Sequence, residues 1–315
     1  MHKEIRRLTE DGKFVQITTW DQRFYGRMAP GESGIEEFEW RPSVTWQCDY
    51  YPKGPQFMAW LKKNGEESDQ IKRPAGDRGY KVHLAVGQLN AGFPVRGISC
   101  NDPKVECDLF LNPTNGREEE LSSEEYDGVL SYVDWWETEG KKFFKIVAFE
   151  YNIWPDKAEC AERTGYPERV FNYAGTVDIK VEQIVDRATM VAAGYKNWTG
   201  EKGSTGIIDS KTSLDIWPTM EMQVSAYKVA ENADWAAILR LNYTRNKTKF
   251  WKMDQIEDCF ALFCSTQRIW ERETSGQKPM QKDYPLQVQL SKQVDPAVSD
   301  HEVIAETKPK REKKS

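Results

Sequence analysis

The chain has 315 residues, of which 39% are hydrophobic, enough apolar material for the core of one large domain or two modest ones. Charged residues of both signs make up 30%, and this mixture argues against wholesale disorder. The formal net charge of −6 gives no support to a protein that coats nucleic acid through a basic surface, so a nucleic-acid groove would have to be local.

The cysteines and the lack of long apolar segments bear on location. Six cysteines occur without a CxxC pair or a Cys/His zinc spacing, so reduced thiols in a cytoplasm are expected. The N-terminus is charged, and no stretch approaches the ~20 apolar residues that span a bilayer. These features predict a cytoplasmic protein without a membrane partner.

The first half of the chain divides into an extension and a helical segment. Residues 1–42 surround a β-like run at 14–19, and we interpret them as an N-terminal extension. Residues 43–92 follow helical spacing. Residues 112–120 are predicted to form a loop, and the capping-like sequence Ser122-Ser123-Glu124-Glu125 predicts that a helix follows.

The second half carries a cluster of strands. β-like runs at 144–151, 173–181 and 206–212 precede a predicted helix at 220–230 and a buried strand at 236–241. A long amphipathic helix is predicted at 254–273, which closes a domain of residues 43–275. Residues 276–315 are polar, end in a basic cluster and are expected to be disordered. This order of elements predicts an α/β fold.

Two of these strands carry residues suited to metal chemistry. Asp209 and Lys211 are two positions apart, so a strand places both side chains on one face. Asp178 on a neighbouring strand supplies a second carboxylate, and two carboxylates with a lysine suit Mg²⁺-dependent phosphodiester hydrolysis. An Asp-x-Lys sequence also arises by chance in a charged chain, so the surrounding motifs decide between the two interpretations.

Those motifs are Tyr-Ala-Gly-Thr-Val-Asp at 173–178, Ile-Ile-Asp-Ser-Lys-Thr-Ser at 207–213, and Gln223 followed four residues later by Tyr227. Together they resemble the RecB-like branch of the PD-(D/E)XK nucleases, which includes many phage exonucleases and the nucleases of CRISPR adaptation. The resemblance covers residues 43–273. It implies a restriction-endonuclease-like core, which is a central mixed sheet flanked by helices after an N-terminal helical segment. It also implies Mg²⁺ or Mn²⁺ as cofactor, and a bacterial host cytoplasm if the chain is phage-encoded.

The resemblance also assigns roles to individual residues. The implied catalytic residues are Asp178, Asp209, Lys211, Gln223 and Tyr227. The implied metal ligands are His83, Glu150, Asp178 and Asp209. Without the family, His83 would be interpreted as an ordinary helix histidine and Glu150 as a solvated strand carboxylate. Gln223 and Tyr227 share one helix face, which also fits a plain amphipathic helix.

DNA, double- or single-stranded, is the implied partner, and an oligomer or a recombination partner protein is left open. The candidate groove residues are Lys81, Lys196, Lys202, Arg245, Lys247 and Lys249. The basic tail residues Lys308, Lys310, Arg311, Lys313 and Lys314 could add nonspecific attraction. Each of them could equally be a solubilising surface charge. The long segment 180–205 suits either a mobile DNA-contacting loop or a plain surface insertion.

Some relatives hold an iron–sulfur cluster through four cysteines. In those relatives one cysteine precedes the site histidine and three follow the Gln-x-x-x-Tyr helix. Here Cys48 precedes His83 but only Cys259 and Cys264 follow Tyr227, so one ligand is missing and we expect no cluster. The sequence therefore predicts a metal-dependent deoxyribonuclease, and an exonuclease in particular. The alternatives are a catalytically weak nucleic-acid-binding or assembly protein with the same fold, and an α/β structural module without a nucleic-acid partner.

Overall fold

The computed structural model describes residues 4–9, 12–18, 22–30, 36–97, 107–112, 116–244 and 249–274. All of these residues belong to one compact unit. Within them, no helix is both long enough and apolar enough to cross a membrane. The predicted tail at 276–315 lies outside the described residues, as do Arg245 and Lys247.

Eleven strands and nine helices occur in the described part of the chain. The strands are β1 (Glu4–Arg7), β2 (Phe14–Thr18), β3 (Arg23–Pro30), β4 (Glu36–Pro42), β5 (Leu109–Asn112), β6 (Arg117–Glu120), β7 (Phe144–Ile153), β8 (Gly175–Gln183), β9 (Thr205–Lys211), β10 (Trp235–Arg240) and β11 (Lys252–Gln255). The helices are α1 (Val44–Cys48), α2 (Pro55–Asn64), α3 (Ser68–Asn90), α4 (Ser123–Trp135), α5 (Lys141–Phe143), α6 (Lys157–Thr164), α7 (Arg187–Ala192), α8 (Pro218–Ala230) and α9 (Phe260–Thr274). A π-helical turn, Trp136–Gly140, joins α4 to α5.

A five-stranded mixed sheet forms the centre, in the order β11-β10-β9-β8-β7. β7, β8 and β9 pair antiparallel, and α8 then returns the chain so that β10 pairs parallel with β9. The predicted strands and the helix between β9 and β10 are confirmed to within about two residues at most ends. The predicted α/β class is also confirmed.

Helices cover both faces of this sheet. On one face, Ile179 and Ile208 of the strands pack with Val86 of α3 and Val129 of α4. On the other face, Ile207 and Ile238 pack with Val224 of α8 and Phe263 of α9. Every residue of β10 is buried, as is typical of a strand covered on both faces. The segment predicted as helical, 43–92, supplies α1 to α3.

The N-terminal extension forms a four-stranded antiparallel sheet of β1 to β4. This sheet contacts the rest of the unit through a cluster of three aromatic side chains, Phe24, Trp46 and Trp270. The hydroxyl groups of Tyr25 and Thr176 lie 3.2 Å apart, which joins the extension to β8 two residues before Asp178. The extension therefore packs directly beside a predicted site residue.

Two predicted elements were wrong. The helix predicted from residue 254 begins only at Phe260, because residues 252–255 form β11, in which Met253 points inward and Asp254 pairs with Arg240. The loop predicted at 112–120 contains β6, which pairs antiparallel with β5, and Gly116 before it has a φ of 69°. An Asn-Gly sequence is a hairpin signal, but the acidic run of β6 lacks the alternation of a typical strand.

The long segment after Asp178 is folded. β8 continues to Gln183, α7 follows, and the turn after α7 buries Trp198 against Phe144 and Trp235. The indole nitrogen of Trp198 donates a 2.7 Å hydrogen bond to Gln183. Because this aromatic side chain is only 1% exposed, it anchors the segment to the core.

We expect Trp198→Ala to lower the free energy of unfolding by about 3–5 kcal/mol, because it empties a buried site that neighbours cannot refill. Trp217→Ala is the matched control, since Trp217 is 50% exposed and its loss should change stability by roughly 0.5 kcal/mol or less. Urea denaturation of both variants tests the difference. Equal losses would contradict the packing described for residues 184–204.

Candidate metal centre

The candidate site is built where α3 crosses β7 and β8. His83 Nδ1 of α3 lies 3.2 Å from Asp178 Oδ2 of β8 and 4.0 Å from Glu150 Oε1 of β7. One potential ligand atom from each of the three side chains lies within 4.8 Å of the others. Among the described residues this is the one such group, and it could hold a metal ion.

Asp178 is held by three donors. The backbone nitrogen and the hydroxyl of Ser210 donate to Asp178 Oδ2 at 2.7 and 2.9 Å, and the His83 imidazole is the third. The pairing of β8 with β9 ends at Ile179 and Ile208, and the carboxylate accepts the Ser210 backbone hydrogen bond just beyond that pair. The side chain that would bind a metal also joins β8 to β9.

Glu150 has an unusual backbone. It lies opposite Asp178 in the β7–β8 pair, and its φ of 44° is in the left-handed region that non-glycine residues seldom adopt. A Cβ on Gly87 of α3 would lie 3.1 Å from Glu150 Cγ. The side chain of the strained Glu150 therefore packs against Gly87, the position on this helix turn that has no side chain.

Asp209 and Lys211 form a buried ion pair next to this group. Lys211 Nζ lies 2.6 Å from Asp209 Oδ2, and the two side chains are 18% and 1% exposed. Both carboxylate oxygens of Asp209 are buried, and apart from the Lys211 contact at Oδ2 they have no hydrogen-bond partner in the described part of the chain. Asp209 lies outside the group of three, but Asp178 and His83 both influence its charge.

These charges determine one another. Burial disfavours the charged form of His83, but the adjacent Asp178 and then Glu150 outweigh it and raise the pKa of His83 to about 9. Burial acts against the charged form of Asp178 too, yet His83 and Lys211 lower its pKa to about 2. Burial raises the pKa of Asp209 to about 6 despite Lys211, and Asp178 adds to the rise.

Lys211 keeps its proton. Burial alone would lower the pKa of its ammonium group, but Asp209 and Asp178 raise that pKa above its usual value. In the metal-free site Lys211 is therefore a cation beside two carboxylates. It is suited to offsetting negative charge and not to accepting a proton.

Gln223 and Tyr227 lie on α8 and contact each other. The Gln223 amide donates a 3.1 Å hydrogen bond to the Tyr227 hydroxyl, and Tyr227 is only 3% exposed. Its ring fills the space above Gly175, where a Cβ would approach to 2.6 Å. These residues therefore support the sheet near Asp178 and Asp209, and Tyr227 does not present its hydroxyl to a cleft.

The predicted groove lysines are scattered. Lys81 is 5% exposed and pairs with Glu125 at 2.8 Å, so it offers no charge to a polymer, and this corrects its assignment to a groove. Lys249 pairs with Glu139 and lies over the Trp251 ring. Lys196 and Lys202 are exposed, and Lys202 precedes the start of β9, the end of that strand away from Lys211.

Sequence reasoning missed three residues of this site. Ser210 lies between Asp209 and Lys211, and its double donation to Asp178 depends on a pairing of strands that no single motif contains. Gly87 and Gly175 contribute by lacking a side chain. The spacing of Gly87, one helix turn after His83, was the only signal available for it.

Comparisons with protein-family models, curated proteins and solved structures found no match to this chain. The functional assignment therefore depends on the geometry of the site and on the motifs that the chain itself contains.

The donor set suits a divalent cation. It combines one imidazole nitrogen with several carboxylate oxygens, which are the ligands of Mg²⁺ and Mn²⁺ sites. Asp209 Oδ1, buried without a hydrogen-bond partner among the described residues, is available as a further ligand after a small rearrangement. The cysteines take no part, since the sole three-residue group found in the described chain contains none.

We expect His83→Gln to lower the free energy of unfolding, measured without divalent metal, by more at pH 6 than at pH 9.5. The folded-state pKa of about 9 exceeds the usual value of 6.5, so the stability that His83 contributes is complete below pH 6.5. It is then lost as the pH rises through about 9. The difference in cost should be roughly 2–3 kcal/mol, as seen by urea denaturation in EDTA. An equal cost at both pH values would show that His83 and Asp178 do not interact as described.

Proposed function

We propose that the chain is a Mg²⁺-dependent DNA nuclease of the PD-(D/E)XK class. Its fold would be a restriction-endonuclease-like core, and its activity that of an exonuclease. The observation that carries this proposal is the meeting of His83, Glu150 and Asp178 beside the buried Asp209–Lys211 pair. Carboxylate ligands, an imidazole and the protonated Lys211 side chain at a single point suit phosphodiester hydrolysis. The mixed sheet with helices on both faces supports the same class.

His83, Glu150 and Asp178 would hold the ion, with Asp209 as a fourth ligand. Mg²⁺ or Mn²⁺, when bound there, supplies Lewis-acid polarisation of the phosphate and a more acidic water. Ser210 and His83 fix Asp178 before any ion arrives, so part of the coordination geometry is preorganised.

Lys211 supplies the positive charge that the reaction needs. A phosphodiester gathers negative charge as it is attacked, and a fixed ammonium group nearby stabilises that charge more strongly than water does. The ion pair with Asp209 holds the Lys211 ammonium in place at 2.6 Å until a phosphate shares it. Lys211 therefore acts on the transition state, and Gln223 and Tyr227 act as positioning residues.

DNA is proposed as the substrate although the chain is acidic. Exposed lysines such as Lys196 and Lys202 could contact phosphates. Binding through them would release counterions from the DNA, and it would weaken at higher salt because that release is then less favourable. The alternative function, nucleic-acid binding without turnover, predicts the same salt dependence and no cleavage. Incubating the full chain with Mg²⁺ and end-labelled linear or closed circular DNA separates the two. Shortening of linear DNA alone supports an exonuclease, and intact DNA of both kinds contradicts a nuclease.

We expect Lys211→Ala to lower the single-turnover cleavage rate by about 100-fold or more while DNA binding changes little. The charge matters mainly in the transition state, so its loss should fall on the chemical step.

The matched control is Lys228→Ala, because Lys228 also forms a partly buried pair, with Asp258 at 2.8 Å, on α8. This variant should cleave at the parent rate. A Lys211→Ala rate within a few-fold of the parent at saturating Mg²⁺ would refute the role given to Lys211.

A further inference from the structure

A second concave surface adjoins the candidate metal centre. It is a cleft of about 600 Å³ at the C-terminal end of α3, lined by Gly87 and Gln88 of the helix and by Phe93, Arg96 and Asp108 beyond it. No residue that we assigned to metal binding or catalysis lines this cleft. Its lining offers one exposed aromatic ring and one exposed guanidinium, together with the Gln88 amide and the Asp108 carboxylate.

Gly87 belongs to both sites. It lines the cleft, and a Cβ built on it would lie 3.1 Å from Glu150 Cγ. Gly87 is also one helix turn beyond His83, a rise of about 6 Å along α3. The cleft therefore begins within one turn of α3 of the metal centre.

The loop that presents Phe93 is well anchored. The Phe93 nitrogen donates to the Gln88 carbonyl at 3.1 Å, and the Gln88 amide donates to the Pro94 carbonyl at 2.8 Å. The Asp108 carboxylate accepts a 2.7 Å hydrogen bond from the backbone nitrogen of Arg96. Despite these bonds, Phe93 is 61% exposed, the largest exposed fraction among the large apolar side chains in the described part of the chain. The fold thus fixes the backbone of the loop while leaving the ring in solvent.

The geometry points to a base-stacking subsite: we infer that Phe93 and Arg96 hold an unpaired base of a DNA strand whose neighbouring phosphate lies at the metal centre. This inference rests on the proposed function and deepens it, because it makes a single-stranded end the preferred substrate. An aromatic ring stacks on any base, and a guanidinium can stack beside it or pair with a phosphate. A blunt duplex keeps its bases stacked inside and offers nothing to this ring.

The experiment compares variants in a catalytically impaired background, Asp209→Asn, in Ca²⁺. Binding of a fluorescent duplex with a short single-stranded overhang and of a blunt duplex of the same length is measured by anisotropy. Phe93→Ala should weaken binding of the overhang duplex about tenfold and leave blunt-duplex binding within about twofold. Phe93→Trp should restore overhang binding, because it replaces one stacking surface with another.

The matched control is Phe250→Ala. Phe250 is 60% exposed, almost the same as Phe93, but it does not line the cleft. Its loss should leave binding of both duplexes within about twofold of the background, and unchanged melting temperatures show that each variant is folded.

Two results would overturn the subsite. One is an equal effect of Phe93→Ala and Phe250→Ala on the overhang duplex. The other is an equal loss for overhang and blunt duplexes, which would mean a general effect on the surface. Either result, with a wild-type chain that cuts DNA in Mg²⁺, rejects the subsite and leaves the nuclease proposal standing. A wild-type chain that neither binds nor cuts DNA rejects both.

Discussion

The carboxylate of Asp178 is the interaction on which the candidate site depends. One of its oxygens accepts hydrogen bonds from Ser210 of β9 and from His83 of α3, so a single carboxylate, 11% exposed, joins a strand, its neighbour and a helix. Burying a charge is costly unless it is paired and hydrogen-bonded, and here both conditions are met by groups from two other elements, β9 and α3. The positions of α3, β8 and β9 are thereby coupled to the chemistry at their crossing.

The same site contains features that work against stability. Glu150 adopts a left-handed backbone conformation in the middle of a strand, and Asp209 Oδ1 is buried without a hydrogen-bond partner among the described residues. Each costs free energy in the metal-free fold. Strain and unsatisfied acceptors concentrated at one point are expected where a ligand supplies the missing interaction. This pattern distinguishes the site from exposed acidic residues such as Glu118 and Glu120 of β6.

The sequence predicted the elements that carry the site better than it predicted their surroundings. The strands of Asp178 and Asp209 were predicted because apolar residues alternate or run together there, and His83 was placed on a helix by the spacing of Val82, Val86 and Leu89. β11 was missed because its four residues mix charge with a single inward Met253. The burial of Lys81 could not be predicted, since it depends on Glu125 reaching back from a capping box forty-four residues later. Short-range patterns report local structure, whereas pairing between distant elements decides which charges are buried.

Titration of Mn²⁺ into the full chain by calorimetry, in two buffers of different ionisation enthalpy at pH 7.5, tests the metal centre most directly. His83 carries a proton in the metal-free site because the pKa of its imidazole is about 9, and a metal-bound imidazole nitrogen must be deprotonated. We therefore predict saturable binding with release of about one proton, and at least tenfold weaker binding by Glu150→Gln. Glu137→Gln, which alters an exposed glutamate paired with Lys141, should bind as the parent does. An absence of saturable binding, or equal affinities for the Glu150→Gln and Glu137→Gln variants, would contradict a metal site at His83, Glu150 and Asp178.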